Sequence, residues 1–216
     1  MLGLGPRFAR LLRVFRLGLR EGRDGAERKV PVRLQITTTA TNWTATYDAS
    51  PSSKTSATDG IIKAIITHNT SSPNQYFIFE SGSTKIGPKK ISAEETMLPF
   101  ADSDFWLADL GLEFLQWPKQ RVAKKEMYSS RYCAVLDSIN PTPAKGGYAR
   151  VRSWITTEAP HGPVRAEAYD SSGKRMKVFD VKSIEKVGGH FQVDSVEMRN
   201  LQTGSRTVME FDLGGE

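Results

Sequence analysis

Cysteine is almost absent from this chain: Cys133 is the only one, so no intrachain disulfide holds the fold together. Long apolar runs are missing as well. No stretch approaches the roughly 18 consecutive apolar residues that a membrane-crossing helix needs, so any membrane contact is peripheral or through a partner, without a transmembrane span. Histidine is scarce, and His68, His161 and His190 lie far apart with no metal-ligand spacing between them. They read as solvated turn residues, and no metal is expected. Cys133 has no base near it in sequence; in the alternating run Tyr132-Cys133-Ala134-Val135-Leu136 it reads as a small half-buried hydrophobe. No catalytic group is nominated and no cofactor is expected.

Excess charge is also scarce outside one segment. The net charge is +6 over 216 residues, but within residues 1–25 six arginines oppose only Glu21 and Asp24, leaving +4 there and +2 for the rest. A nucleic-acid-binding domain carries its basic excess as a patch on the fold itself, so no nucleic-acid partner is expected. The arginines (Arg7, Arg10, Arg13, Arg16, Arg20, Arg23) recur every three or four residues between Leu11, Leu12, Val14, Phe15, Leu17 and Leu19, the pattern of a basic amphipathic helix. An arginine breaks every apolar run before it reaches the length of a signal-peptide core. Residues 1–25 therefore read as a membrane-surface helix or a non-native leader, outside a domain spanning residues 30–216.

From Val30 the hydrophobic period changes to two, the signature of half-buried strands. Val32, Leu34 and Ile36 alternate with Arg33 and Gln35, and Trp43, Ala45 and Tyr47 with Thr44 and Thr46. A Ser/Thr/Pro-rich loop is expected over residues 50–59, followed by strands over 61–67 and 76–80. Further strands are expected over residues 121–128, 131–139, 147–156, 164–169, 175–187, 190–200 and 206–212, separated by turn pairs such as Asn140-Pro141 and Gly188-Gly189. Tight turns between consecutive strands mean an antiparallel meander, because parallel pairs need long crossovers. The middle breaks this rhythm. Ser92-Ala93-Glu94-Glu95 has capping-box spacing, and Asp102, Ser103 and Asp104 can cap a second helix carrying Phe105, Trp106, Leu107, Leu110 and Phe114 up to Pro118. The fold expected is mainly β: a single curved antiparallel sheet with a short helical cap over one face.

Several blocks carry a family resemblance: Leu98-Pro99-Phe100-Ala101-Asp102-Ser103-Asp104-Phe105-Trp106-Leu107-Ala108-Asp109-Leu110, Arg131-Tyr132-Cys133-Ala134-Val135-Leu136, Tyr148-Ala149-Arg150-Val151-Arg152-Ser153-Trp154-Ile155, Glu167-Ala168-Tyr169-Asp170-Ser171-Ser172-Gly173-Lys174, and Glu197-Met198-Arg199-Asn200 on to Thr207. In order and spacing they resemble the outer-membrane lipoprotein-sorting, LolA-like proteins. The resemblance implies a half-open β-barrel of LolA/LolB type in the periplasm, not an enzyme, whose apolar interior holds an acyl chain of a lipoprotein or another lipid. It also implies a membrane-anchored transfer partner.

On that reading Phe100, Phe105, Trp106, Leu110, Phe114, Tyr148 and Trp154 are the expected cavity residues. Arg150 and Arg152 are expected to meet a headgroup or a partner, although ordinary solvent-facing arginines fit the same pattern. The competing reading is a non-enzymatic structural or protein-interaction domain whose half-barrel is filled by its own side chains. Cavity volume separates the two.

Overall fold

The computed structural model describes residues 10–20, 27–39, 41–50, 60–69, 72–82, 87–158 and 161–212. The rest of the leader, residues 51–59 of the expected Ser/Thr-rich loop and the Ala159-Pro160 turn lie outside the described residues. Thirteen strands are present among those described: β1 (Arg10–Arg20), β2 (Glu27–Thr38), β3 (Asn42–Asp48), β4 (Ile61–Asn69), β5 (Gln75–Glu80), β6 (Lys89–Ile91), β7 (Lys119–Tyr128), β8 (Arg131–Ile139), β9 (Arg150–Thr156), β10 (Pro163–Tyr169), β11 (Arg175–Val187), β12 (His190–Asn200) and β13 (Arg206–Phe211). They form one curved, unclosed antiparallel sheet in the order β6-β5-β4-β3-β2-β1-β13-β12-β11-β10-β9-β8-β7. Every neighbouring pair is consecutive in sequence except β1 with β13. The sheet stays open between β6 and β7, where the chain leaves to build the cap.

Residues 10–20 of the basic segment form a strand, not a helix. Leu17 and Leu19 of β1 are buried, and the strand pairs along its length with β2 and over residues 15–20 with β13. The expectation that the fold starts near Val30 is thereby corrected. The physical reason lies in Arg16-Leu17-Gly18-Leu19-Arg20, which alternates with period two, and in the two strands that need a partner there: a helix would leave the edges of β2 and β13 open. Pro31 is tolerated within β2 because it lies opposite Arg16 beyond the stretch, residues 33–38, that β3 pairs.

Register separates the two faces. One cross-strand row runs Val30, Leu17, Met209, Val196, Val181, and a second runs Met198, Phe179, Ala166, Ser153. Directly opposed residues share a face, so these rows form one apolar lining, and the cap packs on it. The other face carries rows of alternating charge, such as Arg121, Asp137, Arg152, Glu167. Asp137 is wholly buried there, bound by Arg152 Nε at 2.8 Å and Arg121 Nη2 at 3.1 Å.

The cap is less helical than expected. It holds 3-10 turns at Ala93–Thr96 and Glu113–Leu115 and one α-turn, α1 (Leu107–Leu110). Ala101, Asp102 and Leu112 adopt left-handed backbone conformations that end any helix running through them. The capping logic survives locally: the Glu95 carboxylate accepts from the Ser92 amide at 2.9 Å, and Asp109 from the Trp106 amide at 2.8 Å.

Candidate functional site

Between the cap and the apolar face lies a cavity of about 320 Å³. Its inner end is formed by Phe105, Asp109, Tyr148 and Lys177 and is buried. Its walls come from the sheet rows, with Ala166, Ala168, Phe179, Val196, Met198 and Met209 facing the cap's Leu110, Leu112 and Phe114. At the outer end Trp43 lies at the start of β3, Phe211 closes β13, Pro163 opens β10, and Val193 is partly exposed. The mouth therefore lies at the end of the sheet where these hairpins turn.

Alanines at positions 166 and 168 make the room. On the β11 side their row neighbours are Phe179 and Lys177, so the hollow follows from small side chains at two inward positions of β10 rather than from a missing element. At the inner end a polar cluster holds the cap down. Lys177 donates to the Asp104 carbonyl at 2.7 Å, lies 3.6 Å from the Asp109 carboxylate, and sits 3.5 Å above the Trp106 ring. The Tyr148 hydroxyl donates to both Asp109 oxygens at 3.1 and 3.2 Å, and its ring stacks on Trp106 with centroids 4.8 Å apart. Burial lowers the Lys177 ammonium to about 8 and raises Asp109, and each partner's opposite charge offsets part of the shift. The Tyr148 hydroxyl is pushed up by the same burial and by Asp109.

Further ties surround this cluster. Ser205 and Thr207 hydroxyls donate to Asp104 at 2.6 and 2.9 Å, and Arg28 reaches Asp102 at 3.0 Å. On the opposite flank the Tyr76 hydroxyl donates to Glu113 at 3.3 Å, and Asn74 Nδ2 to the Gly111 carbonyl at 2.8 Å. Burial raises Glu113. Tyr76 fits only because Gly111 has no side chain: a Cβ there would stand 2.2 Å from the hydroxyl oxygen.

Phe105, Leu110, Phe114 and Tyr148 meet at the cavity. Phe100 does not: it is fully buried in the core, where its strand-like bridge to Ile61 anchors the start of the cap. Trp106 is not among the lining residues: its half-buried ring backs the inner-end cluster, against Tyr148 and Lys177, and also borders a separate groove with Pro99, Arg28 and Thr203. Trp154, an odd number of residues from the cavity-lining Val151, lies on the opposite face, where its indole donates to Glu126 at 2.6 Å. Arg150 and Arg152 share that outer face, and so are parted from Tyr148: Arg150 covers the Tyr169 ring at 4.1 Å and Arg152 is bound to Asp137.

His68 also departs from expectation. It is buried on the lining face of β4, stacked on Trp43 with centroids 3.5 Å apart, and burial lowers its imidazole to about 4. Cys133 is buried and its thiol pushed up, which suits packing rather than nucleophilic attack. Lys177 and Tyr76 were not singled out from sequence, and Glu113, which has no obvious partner there, finds one in Tyr76. Lys177 left a signal: it shares period-two spacing with Phe179 and Val181, so a charge sits on an inward face.

No group of three or more His, Cys, Asp or Glu residues able to hold a metal, and no helix long and apolar enough to cross a membrane, occurs among the described residues. Three solved structures share the architecture. A DUF1329 family protein from Desulfovibrio piger matches with a TM-score of 0.74 at 14% identity over 96% of this chain and 85% of its own. A domain described as an outer-membrane lipoprotein-sorting protein, from Vibrio parahaemolyticus, matches with a TM-score of 0.71 at 19% identity over 95% and 86%. A LolA superfamily protein from Nitrosomonas europaea matches with a TM-score of 0.60 at 16% identity over 95% and 83%. No curated protein matches the sequence significantly. A family model described as "uncharacterized protein" matches residues 63–213. That match spans the cap and every strand from β5 to β13, more than half of the chain, so the protein belongs to that family and has the LolA-like fold.

Proposed function

We propose that the protein is a non-enzymatic, periplasmic-type carrier that takes one acyl chain of a lipoprotein or other lipid into the cavity under the cap. The observation that carries this reading is the cavity itself, apolar along its walls, buried at its inner end and opening at the hairpin end of the sheet. Its volume of about 320 Å³ falls at the lower end of the range of ligand sites. Each methylene moved from water into such a lining contributes about 0.8 kcal/mol, so a medium-length chain gains several kcal/mol without any polar contact. Phe105, Leu110, Phe114 and Tyr148 are the expected chain contacts among the residues nominated from sequence. Arg150 and Arg152 are not headgroup ligands in this reading, since they lie on the other face. A carrier delivers to a second site, and a membrane-anchored transfer partner is part of the proposal.

Titration with a fluorescent fatty acid tests it. The wild-type protein should bind saturably, and Ala166→Phe, which fills the cavity from β10, should weaken binding by about tenfold or more while the melting temperature moves by only a few degrees. A wild-type protein without saturable binding would leave the half-barrel as a structural or protein-interaction domain.

A further inference from the structure

The cavity mouth and the exposed apolar side chains occupy the same end of the molecule. Eight large hydrophobic residues are exposed among those described, and four of them lie on two hairpins at that end. Met127 and Tyr132, 52% and 61% exposed, face each other across the last turns of β7 and β8. Phe191 and Val193, 56% and 38% exposed, stand on β12 just past the Gly188-Gly189 turn. Two of the others, Leu98 and Leu201, belong to the cap and the β12–β13 turn.

The β11–β12 hairpin reaches beyond its neighbours. Pairing of β10 with β11 begins at Arg165–Asp180 and of β12 with β13 at Ser195–Glu210, so residues 184–193 pair only with each other. A two-stranded ribbon is marginal in water by itself, and one that shows Phe191, Val193 and Ile184 on its ladder is suited to a surface that covers it. Val193 lines the cavity as well, which makes this ribbon a continuation of the cavity wall. Charge decides what kind of surface. The two hairpin ends carry Lys124, Lys125, Arg131, Lys182 and Lys186 against Glu126, Glu185 and Asp194. Lys124 and Glu126 pair with each other, which leaves Lys125, Arg131, Lys182 and Lys186 against Glu185 and Asp194, an excess of positive charge. Lysine stems beside Met, Tyr and Phe make the composition of a side that dips into the headgroup region of a bilayer.

We propose that the β7–β8 and β11–β12 hairpin ends form a docking surface for a bilayer with anionic headgroups, setting the cavity mouth against the lipid. Docking does not require that the cavity bind an acyl chain, and the two are read separately. The test is flotation of the full chain with vesicles of phosphatidylcholine alone and of phosphatidylcholine containing phosphatidylglycerol. Wild type should float with the anionic vesicles and be released by salt. Met127→Ser with Phe191→Ser, and separately Lys125→Glu with Lys182→Glu, should each reduce the bound fraction by about tenfold. Neither pair touches the cavity, so fatty-acid titration without vesicles and the melting temperature should stay at wild-type values. Leu201→Ser, an exposed apolar residue at the other end, should float as wild type does. Failure of wild type to float with anionic vesicles, or flotation that survives both double substitutions, overturns the proposal; a protein-facing surface would give the first result. Loss of fatty-acid binding with retained flotation would overturn the carrier reading alone.

Discussion

Replacing Lys177 by Met leaves the buried Asp109 carboxylate with the Tyr148 hydroxyl and the Trp106 amide but without its cation. Removal of one partner from a buried pair costs about 3–5 kcal/mol, more than the pair itself contributes, because the remaining charge is stranded. Lys177→Met combined with Asp109→Asn should cost clearly less than the sum of the single changes in urea denaturation. Gly111→Ala places a methyl group against the Tyr76 hydroxyl, and the strain should cost about 1–3 kcal/mol. His68 gives a pH dependence of known sign. Its folded value of about 4 lies below the ordinary 6.5, so the unfolded chain takes up the proton first. The stability it contributes is complete above pH 6.5 and is lost as the pH falls toward 4. Solvent near the ring reduces the effect to about 1–2 kcal/mol, and His68→Gln should remove it from the difference between urea midpoints at pH 7 and 4.5.

Among the elements, β1 does the most for the architecture, since it is the junction between the β2–β6 run and the β13–β7 run. Leu17→Ala should cost about 2–5 kcal/mol, as a wholly buried leucine on the central row. Truncation through Arg20 should lower the melting temperature by about 10 °C or more or abolish the cooperative transition, because β2 and β13 lose the strand that pairs with both. A basic leader lying outside the fold would leave the transition unchanged. Arginine spacing points to a helix here because the exposed side of a strand and the polar side of a helix both accept arginine, and the alternation around Leu17 spans only residues 16–20. The cap shows the opposite case. Its capping signal at Ser92 was legible, whereas Asp102 and Asp104, expected to cap the second helix, bind Arg28 and the Ser205 and Thr207 hydroxyls instead, and the left-handed turn at Ala101 is tied to Ile61, a contact that no local propensity records.

For the whole molecule, the sheet and the cap should differ in stability. Row residues such as Leu17, Val196 and Met209 are bonded on both flanks, whereas the cap's amides rest on isolated turns. Hydrogen exchange should therefore be slowest in β1, β12 and β13 and at least about tenfold faster over residues 107–115, and an acyl ligand should slow the latter selectively. The sequence by itself determined the antiparallel meander, the position of the cap and the aromatic residues that supply it, because period-two alternation and tight turns act over a few residues. Tertiary structure decided the rest. Which aromatics face the cavity was set by strand register and by where the cap crosses the sheet, so Phe105 and Phe114 reached it while Trp154 fell on the far face. Register and crossing are pairings between distant segments, fixed only when the rows from Val30 to Val181 come together, and it is there that two alanines of β10 become a cavity and a lysine of β11 becomes its floor.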